Sequence, residues 1–223
     1  LFAGVFALKV AVAAELGLFG DEAFYWQCSQ RLAFAYADHP PLTAVLIRAG
    51  TELVGDSAFG VRLLFLVMGA LFPFVIYHLA RPLVGGEDAA LAALCSFAVP
   101  GLAHMGVAAV PDVPLLFFGA LYLLGCERAT RTGQWRWWVL AGVTGALGLA
   151  THYRFVLAPL AAALFAVLSP VGRRHLKTPG LWVSVALLCL GLIPSIAFNV
   201  LNDFAPLRYY LGSRHGAGLH LRA

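Results

Sequence analysis

"GDEAFYWQCSQRLAFAYADHPPL", residues 20–42, follows directly on an apolar run able to enter a membrane. It places Asp21, Glu22, Asp38 and His39 close together in a chain otherwise poor in charge. The chain is 61% hydrophobic and 12% charged, against roughly 45–50% and 25% in an ordinary soluble domain. That composition defines an integral membrane protein. The acidic stretch is then a loop between membrane segments, and the question is what it gathers there.

With about 20 apolar residues per crossing, spans are expected at 1–19, 61–80, 89–108, 111–126, 137–152, 154–169 and 180–198, an all-α, polytopic bundle of about seven crossings. Pro73, Pro100, Pro159 and Pro194 interrupt these runs, which spans tolerate when neighbouring helices satisfy the freed carbonyls. The first run has neither a basic flank nor a small-residue cleavage site, so it reads as a span and not as a signal peptide. With the amino terminus inside, alternate loops carry Arg81, then Arg128, Arg131 and Arg136, then Arg173, Arg174 and Lys177. Cationic loops stay cytoplasmic, which puts Asp21, Glu22, Asp38, Glu52, Asp56, Asp112 and Asp203 on the outer side. Within the outer loop, residues 20–60, two interfacial helices are expected, at 22–36 and 42–54, hinged at Pro40 and Pro41. The second has Leu42, Val45, Leu46, Ala49 and Leu53 on one face and Arg48, Thr51 and Glu52 on the other. Residues 1–223 are expected to be the amino-terminal portion of one longer transmembrane domain. The cysteines have no disulfide or metal spacing.

Four outer segments hold candidate chemistry. "GDE" at 20–22 serves either as the acidic first turn of a helix or as a carboxylate pair that binds a metal or acts as general base. "ADHPP" at 37–41 fixes Asp38 and His39 ahead of a rigid turn. "AAVPDVPLLFF" at 108–118 sets Asp112 at a membrane edge, where charge is costly unless paired or wet, so that it either serves a site or caps the start of the next span. "ATHYRFVLAP" at 150–159 offers His152, Tyr153 and Arg154, either as interfacial anchors or as a phosphate receiver suited to the guanidinium fork. No phosphate-cradling glycine loop or nucleic-acid-binding stripe is present, which excludes nucleic acid as a partner.

Taken in order, the acidic pair ending the first span, "AFYWQCSQRLAFAYADHPPLTAVLI", "PDVPLLFF" and "GLATHYRF" resemble the GT-C class of membrane glycosyltransferases. The resemblance is to the glycosyltransferase family 39 branch, with the protein O-mannosyltransferases and lipid A aminoarabinose transferases. It implies a glycosyltransferase of the cell membrane, active on its outer face, that moves a sugar from a polyprenyl-phosphate donor to a hydroxyl of a protein, glycan or lipid acceptor. By position, Asp21 would be the general base, with Glu22 assisting in acceptor or metal binding and Asp112 a further catalytic acid. Asp38, His39, His152, Tyr153 and Arg154 would line the donor and its phosphate. A divalent cation, magnesium or manganese, would be the cofactor if Asp21 and Glu22 hold one. Where the family commonly has a Lys-Tyr pair, this chain has His152 and Tyr153. The alternative is a transporter or flippase of lipid-linked sugars, which would spread its charges through the membrane depth.

Overall fold

The computed structural model describes residues 2–36, 39–98, 106–205 and 207–208. It is helical, with no strand among the described residues. The helices are α1 (Phe2–Glu15), α2 (Gly20–Gln30), α3 (Leu42–Val54), α4 (Ala58–Val84) and α5 (Gly86–Ala98), then α6 (Asp112–Thr132) and α7 (Trp135–Leu149). A 3₁₀ turn (Tyr153–Val156) leads to α8 (Leu157–Leu168), α9 (Pro170–His175), α10 (Pro179–Leu190) and α11 (Ile193–Leu201). Among the described residues three segments are long and apolar enough to cross a membrane, Ala58–Val84, Asp112–Thr132 and Pro179–Leu201, with a fourth if the bent pair α1–α2 is one span. The expected seven crossings are therefore not all met by length. The runs at 137–152 and 154–169 yield helices of 15 and 12 residues, and the run at 89–108 passes partly outside the described residues.

The loop helices depart from expectation in instructive ways. The first ends at Gln30, not at 36, and it meets α1 at 71°. The second occupies 42–54 as expected. Its packed face, however, is Thr43, Ala44, Ile47, Gly50 and Thr51, while Val45 and Leu53 are exposed. Small side chains win that face because they let two backbones meet. A Cβ at Gly50 would lie 2.3 Å from the Gly60 carbonyl oxygen, and one at Gly60 would lie 2.2 Å from that of Gly55. The apolar residues left outside are what a helix lying in the interface presents to lipid.

The main core joins Ile47 of α3, Val61, Phe65, Met68 and Phe72 of α4, and Val113, Phe117 and Leu124 of α6. Helix α7 packs on α6 and α10 through its own small residues: a Cβ at Gly142 would meet Leu187 at 2.7 Å. Helices α4 and α6 run in the same direction and α7 runs back against them, so residues 20–22, 58–62, 106–112 and 150–154 collect at one end of the bundle.

Candidate active site

Charge at that end is organised around one buried ion pair. Glu22, in the first turn of α2, has a side chain 0% exposed, and Arg62, in the first turns of α4, one 3% exposed. Arg62 Nε donates to Glu22 Oε1 at 2.8 Å and Nη2 donates to Oε2. Nη1 donates to the carbonyls of Ala13 and Leu16 at 3.1 and 2.6 Å, and Nη2 to that of Gly17 at 2.9 Å. All five guanidinium N–H groups are thereby used. Two of those carbonyls are orphans of the end of α1, where a cation also suits the helix dipole. Glu22 is equally saturated: Oε1 also accepts the Ala109 amide at 2.8 Å, and Oε2 that of Phe19 at 3.3 Å. A single pair thus ties α1, α2, α4 and the 106–111 turn together. Gly106 permits that turn, since its φ is +83° and a Cβ would lie 3.1 Å from the Gly69 Cα.

Asp21 is the other acid of the pair in the sequence, and helical rotation sends it the opposite way. It is exposed and lines a cavity of about 730 Å³. Tyr25 and an edge of Arg62 line the same cavity, together with Asp112, His152 and Arg154. Asp112 opens α6, where its carboxylate favours the helix dipole. His152 caps the 3₁₀ turn, its Nδ1 accepting the Arg154 amide at 3.1 Å. Arg154 Nη2 then lies 3.3 Å from His152 Nε2 and 4.0 Å from Asp112 Oδ1. The Arg154 and Asp112 side chains remain 63% and 50% exposed, so both stay accessible to a ligand.

Four of the expected site residues therefore share one cavity: Asp21, Asp112, His152 and Arg154. Glu22 sits behind it, and Tyr153 begins the turn without lining it. His39, expected on the donor side, is 2% exposed and does not reach the cavity. It stacks on Tyr36 at 4.8 Å and meets Tyr25 edge-on at 4.9 Å, because the Pro-Pro turn folds it inward under α2. Tyr36 donates to the Cys28 carbonyl at 2.8 Å, and burial pushes its phenol upward in pKa. Asp38 lies outside the described residues. Arg62 escapes a reading by apolar runs because it sits at the start of one; a lone cation there is itself the signal.

Glu22 has no oxygen to spare for a divalent cation, which asks for several oxygen ligands. Both Glu22 oxygens are occupied by Arg62 and two amides. Among the described residues no three His, Cys, Asp or Glu side chains converge.

A helical bundle with a polar cavity at one end, walled by two acids and a His-Arg pair, defines a GT-C class membrane glycosyltransferase fold, and comparison with known proteins agrees. Residues 38–198 match the family model of dolichyl-phosphate-mannose-protein mannosyltransferase, and the chain belongs to that family. The match begins after Asp21 and Glu22. The chain is 30% identical over 207 residues to the lipid A galacturonosyltransferase RgtD of Rhizobium johnstonii, covering 92% of this chain and 43% of that protein. It also resembles in fold the S. cerevisiae protein O-mannosyltransferase Pmt1-Pmt2 complex bound to the sugar donor, with a TM-score of 0.63 and 17% identity, over 92% of this chain and 33% of that one. The chain spans less than half the length of either relative.

Proposed function

We propose that these residues form the sugar-transfer site of a glycosyltransferase that uses a polyprenyl-phosphate sugar on the outer face of the cell membrane. The observation that carries the reading is the single cavity at which Asp21, Asp112, His152 and Arg154 meet from three distant segments.

Transfer needs a base at the nucleophile and positive charge at the departing phosphate. Asp21 takes the proton of the acceptor hydroxyl as that oxygen forms its bond to the anomeric carbon. The bond from the anomeric carbon to the donor phosphate oxygen breaks, and the electron pair leaves with the polyprenyl phosphate. Arg154 receives that phosphate, for which a guanidinium fork is well shaped, and His152 holds the fork in place. Asp112 sets the other side of Arg154. Glu22 and Arg62 spend their polar atoms on each other and on backbone groups; they are positioning residues that lock the first turn of α2 and hence Asp21. His39 supports Tyr25 from behind. The name of the 30% identical relative makes a lipid A acceptor the first to try.

The test is sugar transfer from polyprenyl-phosphate donors by the full-length protein in membranes. Asp21→Asn at matched expression is expected to lose about 10²–10⁴-fold in rate, the usual contribution of a general base. Arg154→Ala is expected to raise the KM for the donor and leave that for the acceptor unchanged. Equal transfer by wild type and Asp21→Asn would reduce Asp21 to a helix-end acid and overturn the reading.

A further inference from the structure

The opposite end of the bundle holds a second cavity, of about 400 Å³, framed by α6, α7, α8 and α10. Its wall is apolar: Tyr122, Trp138, Ala163 and Leu188 line it, with Leu176 at the turn that follows α9 and Trp182 in the first turn of α10. It exists because α8 buries none of its twelve residues and stands off from the helices it faces. Around Leu176 the sequence "RRHLK", residues 173–177, places three cations within five positions. Arg173, Arg174 and Lys177 are exposed, and none makes an ion pair with a described residue.

This basic turn is fixed at the lip of the cavity. Trp182 Nε1 donates to the Leu176 carbonyl at 2.8 Å, and His175 packs on the Trp138 ring at 5.4 Å. At Gly172 a Cβ would come within 2.3 Å of the Phe165 carbonyl oxygen, so α9 folds tightly back onto α8. An apolar cavity with unpaired cations held at one end has the chemistry to receive an anionic phospholipid: acyl chain inside, phosphate on the basic turn. We propose that this groove is a binding site for an anionic phospholipid of the leaflet facing Arg173, Arg174 and Lys177, the cytoplasmic one by its cations. The site is separate from the sugar-transfer cavity and does not rest on the function proposed for it.

The experiment is lipid retention by the purified, delipidated full-length protein, read by native mass spectrometry alongside its melting temperature. Phosphatidylglycerol is expected to stay bound and to raise the Tm, whereas phosphatidylcholine with the same acyl chains does neither. The triple variant Arg173→Gln, Arg174→Gln, Lys177→Gln is expected to keep the lipid-free Tm and to bind phosphatidylglycerol about tenfold or more weakly, since each surface cation adds to the attraction of an anionic headgroup. The swap Arg173→Lys, Arg174→Lys, Lys177→Arg is expected to retain it. Ala163→Phe, which fills the slot and leaves the cations, is expected to lose retention as well. Equal retention of both lipids, or undiminished retention by the triple variant, would overturn the proposal. So would failure of the wild type to retain either, or displacement of phosphatidylglycerol by equimolar undecaprenyl phosphate.

Discussion

The two long apolar segments Ala58–Val84 and Pro179–Leu201 have similar mean hydropathy over an apolar stretch of 18 residues, 2.2 and 2.3, yet 56% of that stretch is buried within the protein in the first and 17% in the second. Hydropathy reports that both tolerate a bilayer, and it is silent on which is core. The difference lies in how many neighbours their polar and small residues reach: α4 packs on α1, α3, α5 and α6, whereas α10 packs chiefly on α7, through Gly180 and Ser184. Helix α4 carries Arg62 and Gly60, which compel close, directional contacts. Helix α8 and the end of Pro179–Leu201 carry leucines and valines that are as content in lipid as in protein, because lipid tails give no hydrophobic drive for helix association. In this chain, then, a few polar and glycine positions determine packing, and the bulk of the apolar residues only determine the solvent.

The strongest way to break that contrast is Arg62→Met. It leaves Glu22 buried without its cation and frees three carbonyls around the end of α1. Removing one partner of a buried pair costs about 3–5 kcal/mol, so the full-length protein is expected to lose most of its cooperative thermal transition in detergent. The double variant Glu22→Met with Arg62→Met is expected to recover part of that loss, since no charge is then left buried. Both variants should transfer sugar poorly, because the turn holding Asp21 is no longer fixed. An Arg62→Met protein as stable as wild type would mean that the pair does not organise this end.

A smaller effect is expected at the α3–α4 crossing. Gly60→Ala drives a methyl group into the Gly55 carbonyl oxygen and close to the Thr51 Cα, at 2.2 and 3.3 Å. Neither is the far end of a flexible side chain, so the helices must separate. Overpacking of this kind costs roughly 1–3 kcal/mol, to be read as a lowered Tm with the far end of the bundle unaffected. The lipid-binding groove therefore supplies an internal control.

Much of the candidate site is legible from the sequence, and the reason lies in its punctuation. Asp112 between two prolines and His152 before a short turn are polar groups at helix ends, and a helix end is something spacing can locate. Asp21 is placed the same way. What spacing does not decide is which of two adjacent acids faces the cavity: Glu22 is drawn inward by a partner forty residues away, and only the packing of α4 on α1 reveals it. His39 is read as a ligand for the same reason, since a histidine beside an aspartate looks alike whether it faces a donor or an aromatic stack. The protein-facing side of α3 is not marked by apolar periodicity, which in a membrane marks the lipid side, while small residues mark the protein side. Crossing number is the least legible, because runs broken by glycine and proline divide into helices too short to count by length.

The smallest effect is expected where the comparison predicts indifference. Leu164 of α8 is 52% exposed and belongs to neither core cluster. In a soluble protein, Leu→Ala at a packed position costs about 2–5 kcal/mol. Here Leu164→Ala exchanges lipid contacts for lipid contacts and opens no void, so a change within about 0.5 kcal/mol is expected, seen as an unchanged Tm in detergent and unchanged sugar transfer. Phe65→Ala in α4, at 0% exposure, is the matched positive control, with a loss of about 3–5 kcal/mol. If Leu164→Ala lowered the Tm as far as Phe65→Ala, α8 would be held against further chain in the intact protein. The groove beside it would then be filled by protein and not by lipid, which links this last measurement to the phospholipid site through a residue that touches neither cation nor cavity.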